Sequence, residues 1–266
     1  MVTKKYWWVY RTSLRRFVEY RSELFIDLLG KLFIPITVQV VLWSAIFESD
    51  SKAEIGGYSY LQMVRYVVMS LLIANLMRVD RIEREIAASI RDGDLSRFLI
   101  KPIDFMTYQF TAFLADVTPV FAGFFVLYLG SLVIGVVELN GYAVSIAFIT
   151  LLVGMYLSYM MGFLIALFAF MMDEIWTLFV MKGLLFWFIT GQILPLDFLP
   201  KPLFETLSFL PFQFLSYFPA KAFLGQLSTE SLNLGLLLSL VWSMIFYAAY
   251  RLIWKLSIHR YAAFGG

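Results

Sequence analysis

Three stretches of the chain run for 20 residues or more without a charged side chain. They cover 117–137, 139–172 and 231–250, which are 21, 34 and 20 residues long. An α-helix needs about 20 apolar residues to cross the hydrocarbon core of a bilayer, and it satisfies its backbone hydrogen bonds internally. The alternation of apolar and polar positions that a transmembrane β-barrel requires is missing. The pattern therefore predicts membrane-spanning α-helices.

Apolar runs separated by polar connections predict six spans within a single membrane domain over residues 1–266. The predicted spans are about 24–47, 58–77, 105–137, 142–172, 175–193 and 232–254. The third and fourth exceed the thickness of a bilayer, so we expect them to tilt, kink or project beyond it. The predicted fold class is an all-α membrane protein with six transmembrane helices.

The N-terminal residues 5–22 carry a second kind of helical pattern. Aromatic and apolar side chains recur every three or four residues, while charged side chains mark the other face, which is typical of a helix lying in the membrane interface. These positions are Trp7, Tyr10, Leu14 and Phe17 on one face and Arg11, Arg15 and Glu19 on the other. The alternative is a basic tail next to the membrane.

Overall composition supports the membrane assignment. Hydrophobic residues make up 61% of the chain and charged residues 15%, whereas a soluble domain typically has about 25% charged residues. The chain therefore lacks the polar residues needed to cover a soluble catalytic domain.

The positive charges are distributed unevenly between the predicted loops. Fifteen Lys and Arg residues lie in the N-terminal leader, in segment 78–101 and in the C-terminal tail, against three in the alternate loops. Cytoplasmic loops retain positive charge. We therefore expect a multi-pass protein of the plasma (inner) membrane with both termini and segment 78–101 in the cytoplasm.

A proline-rich segment, 194–224, separates the fifth and sixth predicted spans. It holds five of the eight prolines, yet 206–220 carries no charge. Proline interrupts helices, so we predict short re-entrant helices that enter the outer leaflet and form an external gate. The gate residues are Pro195, Pro200, Pro211 and Pro219. The alternative is an apolar loop lying on the lipid surface.

Catalytic and ligand-binding motifs are missing from the sequence. The single histidine, His259, excludes a Ser-His-Asp triad, and Gly30-Lys31 lacks the rest of a phosphate-binding loop. We expect no catalytic residue, no metal site and no cofactor in this chain, and no nucleic-acid partner.

Charge deep inside a membrane span is costly and marks functional candidates, and Arg65 and Asp116 are such residues. Lys182 of the fifth predicted span is shallow, and we expect its side chain to extend to the cytoplasmic interface. Arg65 in the second span and Asp116 in the third lie at similar predicted depths, which predicts an intramembrane ion pair between them. In the alternative, Arg65 extends to the outer interface and Asp116 contacts a Ser or Thr.

Segment 78–101 is the most charged part of the chain, and its residues 80–91 can form an amphipathic helix. Ile82, Ile86, Ala87 and Ile90 share one face. Gly93 suits a helix stop with positive φ, and Pro102 suits the restart before the third span. The segment is either a docking helix for another subunit or a loop helix skimming the membrane.

The same segment resembles the permease subunits of type-2 ATP-binding-cassette exporters of a bacterial family. Those proteins often carry Ile-x-x-Gly-x-Leu-x-x-x-Leu-x-x-Pro, and this chain has Ile90, Gly93, Leu95, Leu99 and Pro102 at those places. The run 191–195, Gly-Gln-Ile-Leu-Pro, is similar to the start of their external re-entrant helices. The run 260–266, Arg-Tyr-Ala-Ala-Phe-Gly-Gly, is similar to endings in one bacterial subgroup.

The resemblance implies a permease that forms half of a substrate pathway and is coupled to a separate ATPase through an 80–98 helix. It implies two ATPase copies that bind ATP and Mg, a second identical or homologous permease, and contact with membrane lipid. The implied ATPase-docking residues are Arg84, Glu85, Ile86, Ser89, Ile90, Arg91, Gly93, Asp94, Leu95 and Arg97. A secondary transporter or channel, and a non-catalytic membrane scaffold, are the alternatives.

Overall fold

A computed structural model describes residues 2–19, 26, 29–47, 54–135, 140–172 and 174–258, and the described part is helical apart from turns and one isolated bridge. The predicted interfacial helix is present as α1, Val2–Glu19. Residues 20–22 of that prediction, 24–25 of the first span and the 259–266 tail lie outside the described residues.

Eleven α-helices are described, with several short 3-10 or π turns between them. A π turn, Leu29–Phe33, leads into α2, and the α-helices after α1 are α2 Ile34–Phe47, α3 Tyr60–Leu76, α4 Asp80–Arg91, α5 Ser96–Leu99, α6 Phe105–Val133, α7 Gly141–Ala166, α8 Trp176–Ile189, α9 Lys201–Phe209, α10 Tyr217–Phe223 and α11 Thr229–Ile258. The 3-10 turns are Leu167–Phe170, Leu196–Phe198 and Pro211–Leu215.

Within the described ranges, five helices are long and apolar enough to cross a membrane. They are Leu29–Phe47, Tyr60–Arg91 (which includes α3 and α4), Phe105–Val133, Gly141–Phe170 and Thr229–Ile258. The predicted fifth span is instead the 14-residue apolar helix α8. Its length corresponds to about 21 Å, less than the ~30 Å hydrocarbon core.

Polar caps start the long helices. Ser59 and Gln62 form a reciprocal capping box before α3, and the Asp104 carboxylate accepts a hydrogen bond from the Thr107 N–H at 2.7 Å before α6. The Asn140 side chain accepts from the Ala143 N–H at 3.1 Å before α7. Each cap satisfies a backbone donor that has no partner within its helix.

Helix α7 is the centre of the packing. It contacts α4, α10, α11 and the Pro211–Leu215 turn, and residues 157–163 are buried on every side. By contrast α2, α8 and α11 leave many large apolar side chains exposed, among them Val38, Leu185 and Met244 at 58, 56 and 69%. Apolar exposure of this extent is expected of surfaces that face lipid or another membrane subunit.

Candidate functional site

Helix α4 carries the amphipathic pattern that its sequence predicts. Its buried residues are Ile82, Glu83, Ile86, Ala87 and Ile90, and this face packs against α7 and the Leu167–Phe170 turn. Two acidic residues lie in its first turn and Arg91 in its last, which is the favourable arrangement for the helix dipole. The helix is therefore held firmly along one side.

The continuous 80–98 helix that the resemblance implies is wrong, because the chain turns at Gly93, where the residues themselves predicted a helix stop. Gly93 has φ +82°, a conformation that side chains with a Cβ rarely adopt, and α4 ends at Arg91. The Leu95 N–H then donates to the Ser89 carbonyl at 2.8 Å, and α5 follows. The ring of Phe98 lies 4.9 Å from those of Phe105 and Tyr108, which fixes α5 against the start of α6.

The structure divides the predicted docking residues into two groups. Ile86, Ile90 and Leu95 are 0, 4 and 0% exposed, so their assignment to a contact surface is wrong. Their side chains fill the protein core, because they form the apolar face on which α4 packs. Exposed residues of the set are Arg84, Arg91 and Arg97, and partly exposed ones are Glu85, Ser89, Gly93 and Asp94.

Sequence reasoning missed an exposed apolar pair directly after α4 and α5. Leu99 and Ile100 are 52 and 83% exposed and lie between Arg97 and Lys101. The signal was present as three consecutive apolar residues, Phe98, Leu99 and Ile100, inside an otherwise charged segment. Beside this pair lies a polar cleft of about 530 Å³, bounded by α1, α4 and α6.

The predicted Arg65–Asp116 pair is wrong, since Asp116 pairs with Arg81. Arg81 Nε donates to Asp116 Oδ2 at 2.7 Å, and the Arg81 guanidinium also contacts Glu85. Asp116 therefore lies within reach of the first turn of α4, where Arg81 stands. Arg65 Nε is buried and has no hydrogen-bond partner among the described residues.

A second ion pair joins α4 to α8 in a buried position. Lys182 Nζ donates to Glu83 Oε1, and the two side chains are 10 and 2% exposed. The carboxylate occupies space left by Gly162 of α7, where a Cβ would lie 2.8 Å from Glu83 Cγ. A glycine at this place therefore lets α4 approach α7 closely enough for the pair to form.

A cavity of about 660 Å³ opens next to this pair. Its walls come from α2, α3, α7 and α8 and are mainly apolar, with polar groups such as Gln39, Asn75 and Thr190. Lys182 lies in the wall. Four apolar helices and one partner of the buried ion pair thus bound the cavity.

The predicted proline-rich segment forms a series of short helices. Pro195, Pro200 and Pro211 precede or open one of them, and Pro219 lies in the first turn of α10. These are the places where a missing N–H costs least. Pro195, Pro211 and Pro219 are buried and Pro200 is exposed.

This segment penetrates deeply between the long helices. The Ser70 hydroxyl donates to the Gln192 carbonyl and the Ser216 hydroxyl donates to the Ser70 carbonyl, at 3.0 and 3.2 Å. A Cβ at Gly154 of α7 would lie 2.5 Å from the Phe214 carbonyl oxygen. Ser70 and Gly154 are about 15 and 20 Å along their helices from the first residue, so the segment reaches the middle of α3 and α7.

An ion pair also joins the two ends of the segment. Lys221 Nζ lies 2.8 Å from Asp197 Oδ2, and the Tyr58 hydroxyl donates to the same oxygen at 2.9 Å. Burial, and next the Asp197 carboxylate, raise the pKa of Tyr58 far above its ordinary value, so the hydroxyl remains a donor. The contact joins the start of α3 to both ends of the proline-rich segment.

Comparison with known proteins matches most of the chain to one family. A family model described as ABC-2 family transporter protein matches residues 33–265. The search of curated proteins found no match.

Proposed function

The chain belongs to the ABC-2 transporter family, and on this premise we propose that it is the permease subunit of an ATP-driven exporter. Two copies of a separate ATP-binding-cassette ATPase bind ATP and Mg and supply the energy. A second permease, identical or homologous, completes the pathway, because one chain lines only half of it.

The observation that carries the proposal is the two-sided character of segment 80–100. One side is anchored, through Ile82, Ile86 and the ion pairs of Arg81 and Glu83. The other side presents exposed cations and the apolar pair Leu99–Ile100. The exposed side offers both apolar and charged groups for a partner to bind, and the rigid attachment can transmit a movement of that partner to the long helices.

The proposed arrangement places segment 80–100 and both termini in the cytoplasm of the plasma (inner) membrane, as the distribution of Lys and Arg indicates. Helix α8 is counted as the fifth of six spans. The proline-rich segment follows α8 and fills the remaining depth with short helices and turns, whose irregular backbone is covered by the surrounding protein. The prolines of that segment form the external gate.

Transport then follows an alternating cycle. ATP closes the ATPase dimer, the dimer displaces α4 and α5, and the helices around the 660 Å³ cavity rearrange. The cavity has mainly apolar walls with a few polar groups, and such walls suit an amphipathic cargo.

Co-purification tests the docking surface. The tagged chain, expressed with its native partners, is expected to retain a stoichiometric ATPase, and Leu99→Ser/Ile100→Ser is expected to lose it. The control is Val133→Ser/Ile134→Ser at the opposite end of α6, where the side chains are 87 and 74% exposed. Both variants remove exposed apolar surface, so they are expected to fold equally well. Equal ATPase recovery from the two variants, or none from the unaltered chain, would contradict the proposal.

A further inference from the structure

The short apolar helix α8 is held only loosely by the described residues around it. None of its residues is buried, and its largest contact with another described element is with the Pro211–Leu215 turn. Apolar contacts alone therefore couple α8 only weakly to a movement of α4, which packs on α7.

The Glu83–Lys182 pair supplies a direct connection between these two helices. Both side chains are at least nine-tenths buried. In surroundings of low polarity the attraction between opposite charges is strong, and separating them leaves two buried charges without partners. The pair therefore resists separation far more than an exposed ion pair does.

A second ion pair connects the same turn of α4 to a different helix. Arg81 pairs with Asp116 of α6, whereas Glu83 pairs with Lys182 of α8. Residues two apart in an α-helix point about 200° away from each other. The start of α4 is thus braced from opposite sides by α6 and α8.

We propose that the Glu83–Lys182 ion pair is the link that makes α8, and with it one wall of the cavity, follow the displacement of α4. Glu83 and Lys182 are positioning residues for transport: they hold no cargo and transmit motion. This inference rests on the proposed function, in which an ATPase acts on segment 80–100.

A single engineered thiol reports the movement of α8. The chain has no cysteine, so Gly183→Cys introduces its only one. Gly183 lines the cavity, and a Cβ there has no other atom within 4 Å. The rate of labelling by a water-soluble maleimide is measured in the complex with the ATPase, first without nucleotide and then trapped with ATP and vanadate.

Gly183→Cys with Glu83 and Lys182 unchanged is expected to show a nucleotide-dependent change in labelling rate of about fivefold or more, which is the lower end of ordinary allosteric coupling. Glu83→Gln and Lys182→Gln are expected to abolish this change while the bound ATPase still hydrolyses ATP. The charge swap Glu83→Lys/Lys182→Glu is expected to restore it at least in part.

Two further variants complete the test. Glu205→Gln removes one partner of the exposed Lys201–Glu205 pair, whose side chains are 86 and 60% exposed, and it is expected to leave the response unchanged. Gly162→Ala keeps both charges but places a methyl group 2.8 Å from Glu83 Cγ. If Glu83→Gln and Lys182→Gln do not assemble with the ATPase, Gly162→Ala is used in their place. It is expected to reduce the nucleotide-dependent change in labelling rate.

The outcomes separate this inference from the proposed function. A full nucleotide response in Glu83→Gln or Lys182→Gln, with the ATPase bound, would overturn the role of the pair and leave the proposed function intact. If the Gln variants do not assemble, a full response in Gly162→Ala would likewise overturn the role of the pair and leave the proposed function intact. An unaltered chain that carries no ATPase would overturn both.

Discussion

The close approach of the proline-rich segment to α7 makes Gly154 a sensitive position. A Cβ at Gly154 would lie 2.5 Å from the Phe214 carbonyl oxygen and 3.0 Å from the Met77 methyl group. The methyl group belongs to a flexible side chain and can move aside. The carbonyl belongs to the backbone of a buried turn, so Gly154→Ala requires the turn to shift away from α7.

The expected cost follows from two opposing terms. Forcing an extra methyl group into a packed interior costs about 1–3 kcal/mol, while replacing glycine by alanine inside a helix gains about 0.5–1 kcal/mol. Gly183→Ala in α8 is the matched control, because nothing lies within 4 Å of its Cβ. The helix term is common to both variants, so the difference between them isolates the packing cost of about 1–3 kcal/mol.

Thermal unfolding of the purified protein in one detergent measures this difference. For a chain of this size it corresponds to an apparent Tm lower by about 2–12 °C in Gly154→Ala than in Gly183→Ala. Both are scanned at the same rate, because unfolding of such proteins is often irreversible. An apparent Tm for Gly154→Ala equal to or above that of Gly183→Ala would refute the close contact between Phe214 and α7.

Three further perturbations test other contacts. The side chains of Arg81 and Asp116 are 36 and 35% exposed. A double-mutant cycle on them is expected to give a coupling energy of about 1 kcal/mol in unfolding measurements, a value between those of exposed and buried ion pairs. The same cycle on Arg65 and Asp116 is expected to give no coupling. Lys221→Met removes the cation beside the half-buried Asp197, whose carboxylate then keeps the neutral hydroxyls of Tyr58 and Tyr217 as donors. A loss of about 2–3 kcal/mol in the free energy of unfolding and faster amide exchange over 196–198 are expected, and unchanged exchange would contradict this contact. Gly93→Ala forces alanine to φ +82°, so a loss of about 1–2 kcal/mol is expected in the same unfolding assay, and no loss would argue against the turn.

Features that depend on neighbouring residues in the chain were predictable from sequence. The charge-free runs predicted α6, α7 and α11, because crossing a bilayer requires such a run regardless of its surroundings. The spacing of Ile82, Ile86 and Ile90 predicted the buried face of α4, and Gly93 predicted its end. Each of these signals lies within one continuous stretch of the chain and does not depend on a distant partner.

Features that depend on how helices stack were not predictable. The depth of Asp116 was counted from the start of α6 and compared with Arg65, but the carboxylate pairs with Arg81 at the start of α4. The length of α8 was overestimated because residues 190–193 carry no charge that would mark an end, whereas the chain leaves the helix at Gly191, which has φ +76°. Lys182 resembled a residue that extends to the membrane surface, and only the gap at Gly162 reveals its buried partner.

Helix α8 and the proline-rich segment form one continuous stretch that is tied to its surroundings by polar contacts at three levels. At one end Lys182 meets Glu83 of α4, in the middle Tyr66 and Ser70 of α3 donate to the carbonyls of 191 and 192, and at the other end Lys221 meets Asp197 and Tyr58. Apolar packing adds little to α8, so these contacts determine its position. In the proposed cycle a displacement of α4 reaches the proline-rich segment by two routes, through Lys182 and along α3. The route through Lys182 passes Gly191, whose φ of +76° lets the chain leave α8 sharply, so a substitution there is expected to weaken that route while leaving the contacts of Ser70 and Tyr58 in place.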